Sequence, residues 1–279
     1  MSGESGAEGP KSGAGPETGA PVPGGRLEGK RVVLVNGARR KRNTYGLLRE
    51  TAAFLEAEGA LVEPLDLHAY AIGECLGCER CVRGAACPLR DDAEALMSRI
   101  SSADGVVLAS PVYMGAVTGR MKLFIDRTAA WFHRPVLVGK PSLVVATTAG
   151  SALSSTLAYL EGVAVQWGAV PAGRIGRTAQ RLGERVSWRE VARFIAALAS
   201  PRERLSPGFG ALMTYQVQRV LAEKVLENDR LHWREQGWAD RTYYFDCRIG
   251  PAKRLAAGAF HALLSRRVEK TPEADLAGE

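Results

Sequence analysis

Cysteine is scarce in this chain and unevenly placed. Of 279 residues five are cysteine, and four of those fall in one stretch, CLGCERCVRGAAC, from Cys75 to Cys87. A disulfide-stapled secreted domain needs cysteines spread along the chain, so that class is excluded. Long apolar runs are missing as well. None approaches the roughly 20 residues that span a bilayer, and the first residues lack the charged-then-apolar pattern of a secretory leader. The expectation is a cytoplasmic chain with no membrane partner. Thiols stay reduced in that compartment, and clustered cysteines there serve metal or redox chemistry.

Histidine is nearly absent too. His68, His133, His232 and His261 are scattered, with neither H-E-x-x-H spacing nor a triad arrangement. Ser110 does not sit in a G-x-S-x-G elbow. Asp91-Asp92 opens a helical pattern, where acids favour the N-terminus, and reads as a helix start rather than a catalytic dyad. Nucleic-acid motifs are missing: no zinc-finger spacing, helix-turn-helix signature or aromatic RNA-binding motif accompanies the net charge of +7. That charge reads as solvated helix faces, with attraction for an anionic cofactor where cations cluster.

What is present is a rhythm. Hydrophobic residues make up 46% of the chain but avoid residues 1–29. That stretch is rich in Gly, Ala, Pro and Ser, and is expected to be a disordered tail. From residue 30, apolar or β-branched runs at 31–35, 60–67, 105–110, 141–150 and 169–176 read as strands. Helical apolar spacing appears at 44–59, 90–104, 118–131, 151–168 and 187–200. Strand–helix alternation implies βαβ units on a parallel sheet covered on both faces, and strands apolar throughout agree. The expected fold over residues 30–200 is α/β, a doubly wound flavodoxin-like sheet of five parallel strands in the order 2-1-3-4-5. A Rossmann dinucleotide fold would need G-x-G-x-x-G after strand one, and NGARRKRNT stands there instead. Residues 201–279 break the rhythm. Helical spacing at 209–229 and 252–268 flanks an irregular aromatic stretch, HWREQGWADRTYYFDCRIGP. This is a C-terminal helical extension laid on the core. Its Trp233, Trp238, Tyr243, Tyr244 and Phe245 are expected as packing anchors, and the extension as a dimer contact.

Doubly wound sheets bind ligands beyond the strand C-termini, where strand order reverses between strands one and three. The loop after strand one carries Arg39, Arg40, Lys41 and Arg42 ahead of Asn43 and Thr44 at a helix start. Cations, backbone amides and a helix dipole together make a phosphate site; a solvated basic turn is the plainer alternative. After strand three, SPVYMGAVTGRMK offers Tyr113 and Met114 as apolar surface beside exposed backbone, which suits a flat heteroaromatic ring. After strand four, TTAGS is small and lets backbone approach a ligand closely. The three loops predict a planar ring carrying a phosphate.

These stretches carry a resemblance. NGARRKRNT, CLGCERCVRGAACPLRDD, ASPVYMGAVTGRMKLFIDR and TTAGS resemble the NAD(P)H-dependent FMN reductase family, and within it the iron–sulfur flavoproteins. The SPVY segment with Lys122 and Asp126-Arg127 is the most specific piece. The resemblance implies FMN as cofactor. Arg40, Asn43 and Thr44 would hold its phosphate, with Ala38 where the family has serine and Arg39 where it has proline. Pro111, Val112, Tyr113, Met114 and Gly115 would line the isoalloxazine ring. Thr148, Ala149 and Gly150 would touch its polar edge. No catalytic side chain is expected beyond the bound flavin.

The cysteines follow C-x2-C-x2-C-x5-C. Such a run lets three thiolates converge on one cubane, whereas structural zinc prefers two well-separated pairs. The reading is a [4Fe–4S] cluster on Cys75, Cys78, Cys81 and Cys87, in the spacing that the iron–sulfur flavoproteins share. Zinc, or no metal, stays open, and Cys247 is expected to be inert. Two electron routes follow. NAD(P)H gives hydride to FMN, which reduces a quinone, free flavin or oxygen; or a ferredoxin-like donor feeds the cluster and then FMN. A simple reductase without a cluster, and a zinc- or redox-sensing binding module, are the alternatives. The family's dimeric arrangement implies a homo-oligomer.

Overall fold

The computed structural model describes residues 25–270, so most of the tail expected at 1–29 lies outside the described residues. Its last part belongs to the domain instead. Leu27 is buried in the core, its N–H donates to Glu58 O at 2.8 Å, and Arg26 forms a two-pronged ion pair with Glu58. One apolar side chain and two polar ties are enough to fix this turn before the first strand.

The chain then runs β1 (Arg31–Asn36), α1 (Asn43–Ala57), β2 (Leu61–Asp66), α2 (Ala93–Ser101), β3 (Gly105–Pro111), α3 (Gly119–Arg127), α4 (Ala130–His133), β4 (Pro141–Thr147), α5 (Leu153–Gln166), β5 (Val170–Arg177), α6 (Trp188–Leu198), α7 (Phe209–Lys224), α8 (Glu227–Glu235) and α9 (Pro251–Arg267). The sheet order is β2-β1-β3-β4-β5 with every pair parallel, as the sequence predicts. Side chains alternate between the two faces. Val33, Val35, Val106 and Leu108 join one core with Leu96, Phe124 and Leu160 from α2, α3 and α5. Val32, Leu34, Val107 and Val145 join a second with Leu48 and Phe194 from α1 and α6. Both faces are covered, which is why the strands read as continuous apolar runs.

A half-buried ion pair fastens α6. Arg177, at the end of β5, donates to both carboxylate oxygens of Glu190, which also accepts the Ser187 N–H in a capping box. The Arg177 guanidinium holds the Glu190 carboxyl at about 2, down from 4.5. A depressed carboxyl stabilises the fold fully above its unfolded value and ceases to as pH falls from about 4.5 to 2. Glu190 keeps about a quarter of its side chain exposed, so screening holds the contribution to about 1–2 kcal/mol. Glu190→Gln is therefore expected to lower the urea midpoint at pH 7 and to flatten its decline between pH 5 and 3. An unchanged decline would remove the pair from the acid response.

The extension packs against α4 and α5 around a third core, where Tyr215, Trp233, Trp238, Tyr243, Tyr244 and Phe245 are buried together with Val165 and Val170. The aromatics are anchors, as expected. The helix expected over 209–229 is not continuous. Leu226 is extended, and α8 starts a new axis that runs into the stretch expected to be irregular. Leu226 is buried at the bend, and α8 opens with Glu227 and Asp229, acids that favour a helix N-terminus. Among the described residues no helix is long and apolar enough to cross a membrane.

Candidate functional site

The strand order reverses between β1 and β3, and their following loops meet there. Gly37 makes the meeting possible: a Cβ on it would lie 2.9 Å from Met121 Cβ and 3.1 Å from Thr118 Oγ1. Thr118 Oγ1 donates to Gly37 O at 2.8 Å and accepts the Met121 N–H, so one side chain caps α3 and ties the two loops. Ala38 is buried, held by paired bonds of 3.0 Å between its backbone and the Asn36 amide. A methyl suffices there because the local polar groups are already paired.

Beyond Ala38 the chain turns outward. Arg39, Arg40, Lys41, Arg42 and Asn43 are exposed, and among the described residues none of the four cations makes an ion pair. The start of α1 has no side-chain cap and no acid in its first turn. Its amides and dipole therefore face outward beside unpaired cations, which is the chemistry an anion needs. Thr44 is different. It is buried, and its hydroxyl lies 2.6 Å from that of Thr147 at the end of β4. Thr44 fastens α1 to the sheet, and the free hydrogen-bonding surface of the loop is carried by Arg39 to Asn43.

The loop after β3 is a tight turn. Tyr113 and Ala116 exchange backbone bonds of 2.8 and 3.0 Å around Met114 and Gly115, both at positive φ. Such a turn favours glycine, and Met114 at φ 48 is strained there. The result is that Met114 projects wholly into solvent and Tyr113 is half exposed. Pro111 pairs with Thr147 in the sheet, and Val112 N–H donates to Thr147 O. In the loop after β4, Thr148 is buried and donates to Ser151 O, while the Gly150 N–H donates back to Thr148 Oγ1; Ala149 and Gly150 are exposed. The three loops thus share one edge. A cleft of about 270 Å³ opens between the first two, lined by Arg39, Arg40, His68, Tyr113, Thr118 and Arg120. His68, Thr118 and Arg120 are additions that the sequence did not single out.

The cysteines occupy the long loop after β2. Asp91 and Asp92 close its neck: Ala71 N–H donates to Asp92 Oδ2 at 2.7 Å and Gly73 N–H to Asp91 Oδ2 at 2.8 Å. Arg127, buried at the end of α3, pairs with Asp91 and donates to Gly73 O at 3.1 Å and to Cys87 Sγ at 3.4 Å. Burial alone would raise the Asp91 carboxyl; Arg127 and the amides of Gly73 and Ala93 outweigh it and hold the carboxyl below its ordinary value. All four cysteines line one hollow of about 90 Å³, with Leu76, Val82, Pro88 and Leu89 between them. Among the described residues no three Cys, His, Asp or Glu side chains form a preformed metal cage. Four sulfurs lining one hollow are the donor set that a thiolate-ligated group takes. Cys247 sits apart in the extension, where burial pushes its thiol up, away from reactivity.

Helix α3 joins the two places. Arg120 near its start donates to Leu67 O beside the cleft, and Arg127 at its end reaches the hollow. Seven residues of helix, about 10 Å, separate them.

Residues 30–178, just over half of the chain, match the NADPH-dependent FMN reductase family. The chain belongs to that family. Its resemblance to known members extends to iron–sulfur flavoproteins. One from Archaeoglobus fulgidus is 36% identical over 145 residues, 52% of this chain and 66% of that protein. Another, from Methanocaldococcus jannaschii, is 33% identical over 110 residues, 39% of this chain and 54% of that protein. The chain therefore spans between about half and two thirds of the length of these relatives. Among solved structures, an apo NADH:FMN oxidoreductase aligns at 20% identity and a TM-score of 0.43, over 64% of this chain and 91% of that one. The fold assignment rests on the strand order instead. In this FMN reductase family chain, the basic loop, the strained turn and the small loop after β4 share the edge beyond the strand C-termini.

Proposed function

We propose that this chain is an FMN-dependent oxidoreductase that also carries a [4Fe–4S] cluster on Cys75, Cys78, Cys81 and Cys87. It takes electrons from NAD(P)H or a ferredoxin-like donor and passes them to a small acceptor such as a quinone, free flavin or oxygen. The observation that supports this best is the joining of a basic cleft and a four-thiol hollow by the single helix α3. Bound FMN would supply the exchange between hydride and single-electron chemistry, and a cluster would supply single-electron relay.

The chain's own residues bind and orient. Arg39, Arg40, Lys41 and Arg42 with the uncapped start of α1 hold the phosphate. The turn from Tyr113 to Ala116 presents Tyr113, Met114 and Gly115 to the ring, behind Pro111 and Val112. Thr148, Ala149 and Gly150 offer backbone to its polar edge. Arg127 donates to Cys87 Sγ and so orients a coordinating sulfur. The extension is a dimer contact in this reading, and the protein works in the cytoplasm. A simple FMN or quinone reductase without a cluster is the second reading, favoured by the absence of a preformed cage among the described residues.

Anaerobic purification followed by assay of iron, acid-labile sulfide, zinc and extractable flavin on one sample separates these. The expected result is FMN with iron and sulfide at about four per chain, and loss of the iron in Cys75→Ala. Flavin without iron leaves the second reading. Zinc without flavin overturns both.

A further inference from the structure

The loop that carries the cysteines is gripped by Arg134 of the sheet domain together with α8 of the extension. Arg134, just after α4, donates from Nη1 to Val82 O at 3.0 Å and from Nη2 to Cys81 O. The same guanidinium pairs with Asp229 in the first turn of α8, whose carboxylate is 1% exposed and whose other oxygen lies 2.8 Å from His133 Nδ1. Asn228 adds a bond from Nδ2 to Val82 O at 3.1 Å. Gly84 closes the contact: at φ +87, a Cβ there would stand 3.0 Å from Asn228 Nδ2. Of the four cysteines, Cys81 alone has its own carbonyl held by the guanidinium fork.

A planar guanidinium spanning two successive carbonyls fixes the orientation of the peptide between them, which a lysine ammonium on a flexible stem does not. Fixing that peptide fixes the direction in which Cys81 leaves the backbone. A buried carboxylate that pairs with the guanidinium prevents it from turning to water. We infer that Arg134 is the positioning residue for Cys81, and that α8 of the C-terminal extension, through Asp229 and Asn228, sets how firmly the hollow keeps its metal group. This rests on the proposed cluster, but the grip itself is testable without one.

The test uses the full chain, as wild type, Arg134→Lys and Asn228→Ala. On metal-free protein, iodoacetamide labelling is followed by mass spectrometry, and hydrogen exchange is followed in peptides covering residues 81–86 and in α7. The expected result is that Arg134→Lys labels Cys81 about tenfold faster with Cys75 unchanged, and speeds exchange around residues 81–86 with α7 unchanged. Tenfold corresponds to the loss of one charge-assisted hydrogen bond. On anaerobically purified protein, the same variant should lose iron to a ferrous chelator about tenfold faster and shift the electron paramagnetic resonance signal of the reduced centre. Equal acceleration at all cysteines and in α7, or no acceleration in either variant, overturns the inference. Wild-type protein without iron would remove the cluster reading, while the labelling and exchange results still decide the role of Arg134.

Discussion

Replacing Trp233 with alanine is expected to lower the unfolding free energy by about 3–5 kcal/mol, the range for removing a fully buried indole. Trp233 is 1% exposed. Its ring lies 5.6 Å from that of Tyr215, 5.5 Å from Trp238 and 5.7 Å from Tyr244. Stiff rings on three sides cannot slump into the space an alanine would leave, so the cavity term is felt in full. The indole N–H also donates to His133 O at 2.8 Å, and that carbonyl would lose its donor. The loss should fall on the extension first. Its core is a third cluster beside the two that flank the sheet, sharing only Val165 and Val170 of the domain among its buried residues, and the Trp233 ring stands at its centre. Urea unfolding followed by far-ultraviolet circular dichroism and by near-ultraviolet aromatic signals measures this. The aromatic signal should vanish at lower urea in Trp233→Ala than in wild type. A change below about 1 kcal/mol, with coincident transitions, would show that the rings fill space without anchoring the extension.

How much of this was legible beforehand follows from how local each signal is. The strands were legible because a sheet covered on both faces demands unbroken apolar runs, and the strand order follows from the alternation of elements with no G-x-G-x-x-G after β1. The four cysteines were legible from spacing alone. Contacts that cross the chain left no local trace. Arg134 and Asn228 look like ordinary polar residues of a helix end, yet both bond to Val82 O. Thr118 only opens a helical pattern in the sequence, and the fold brings its hydroxyl to Gly37 O. The resemblance assigns Thr44 to the phosphate, and the contact of its hydroxyl with that of Thr147 is a further one that only the fold reveals. Asp91-Asp92 was read as a helix start, which Asp91 does serve by accepting the Ala93 N–H; its second task, closing the cysteine loop with Arg127, depends on a residue 36 positions away. Leu27 falls in the stretch whose composition predicts a tail, and a single leucine there gives no sign of the core it joins.

Reversing the charge of the basic loop, with Arg39, Arg40 and Arg42 all changed to glutamate, is expected to raise the dissociation constant for FMN by about a thousandfold at low salt. The three side chains are exposed and make no ion pair among the described residues, so the substitution removes no partner on which the fold depends, and surface changes of this kind usually shift stability little. Their effect is then confined to the field at the start of α1. A phosphate dianion there gains from each cation and from the uncapped amides. Turning one attraction into a repulsion at a solvated site is worth about 1–2 kcal/mol, and three such changes near 4 kcal/mol give roughly a factor of a thousand. Since the interaction is screened, the difference between wild type and variant should shrink as salt rises toward 1 M. Quenching of FMN fluorescence, titrated at low and high salt, reads both quantities. Riboflavin, which lacks the phosphate, is the internal control: its affinity should hardly respond to the reversal. Equal losses for FMN and riboflavin would mean that the loop shapes the cleft rather than binding the phosphate. An unchanged FMN affinity would leave Arg39 to Arg42 as a solvated turn and put the phosphate elsewhere on the edge.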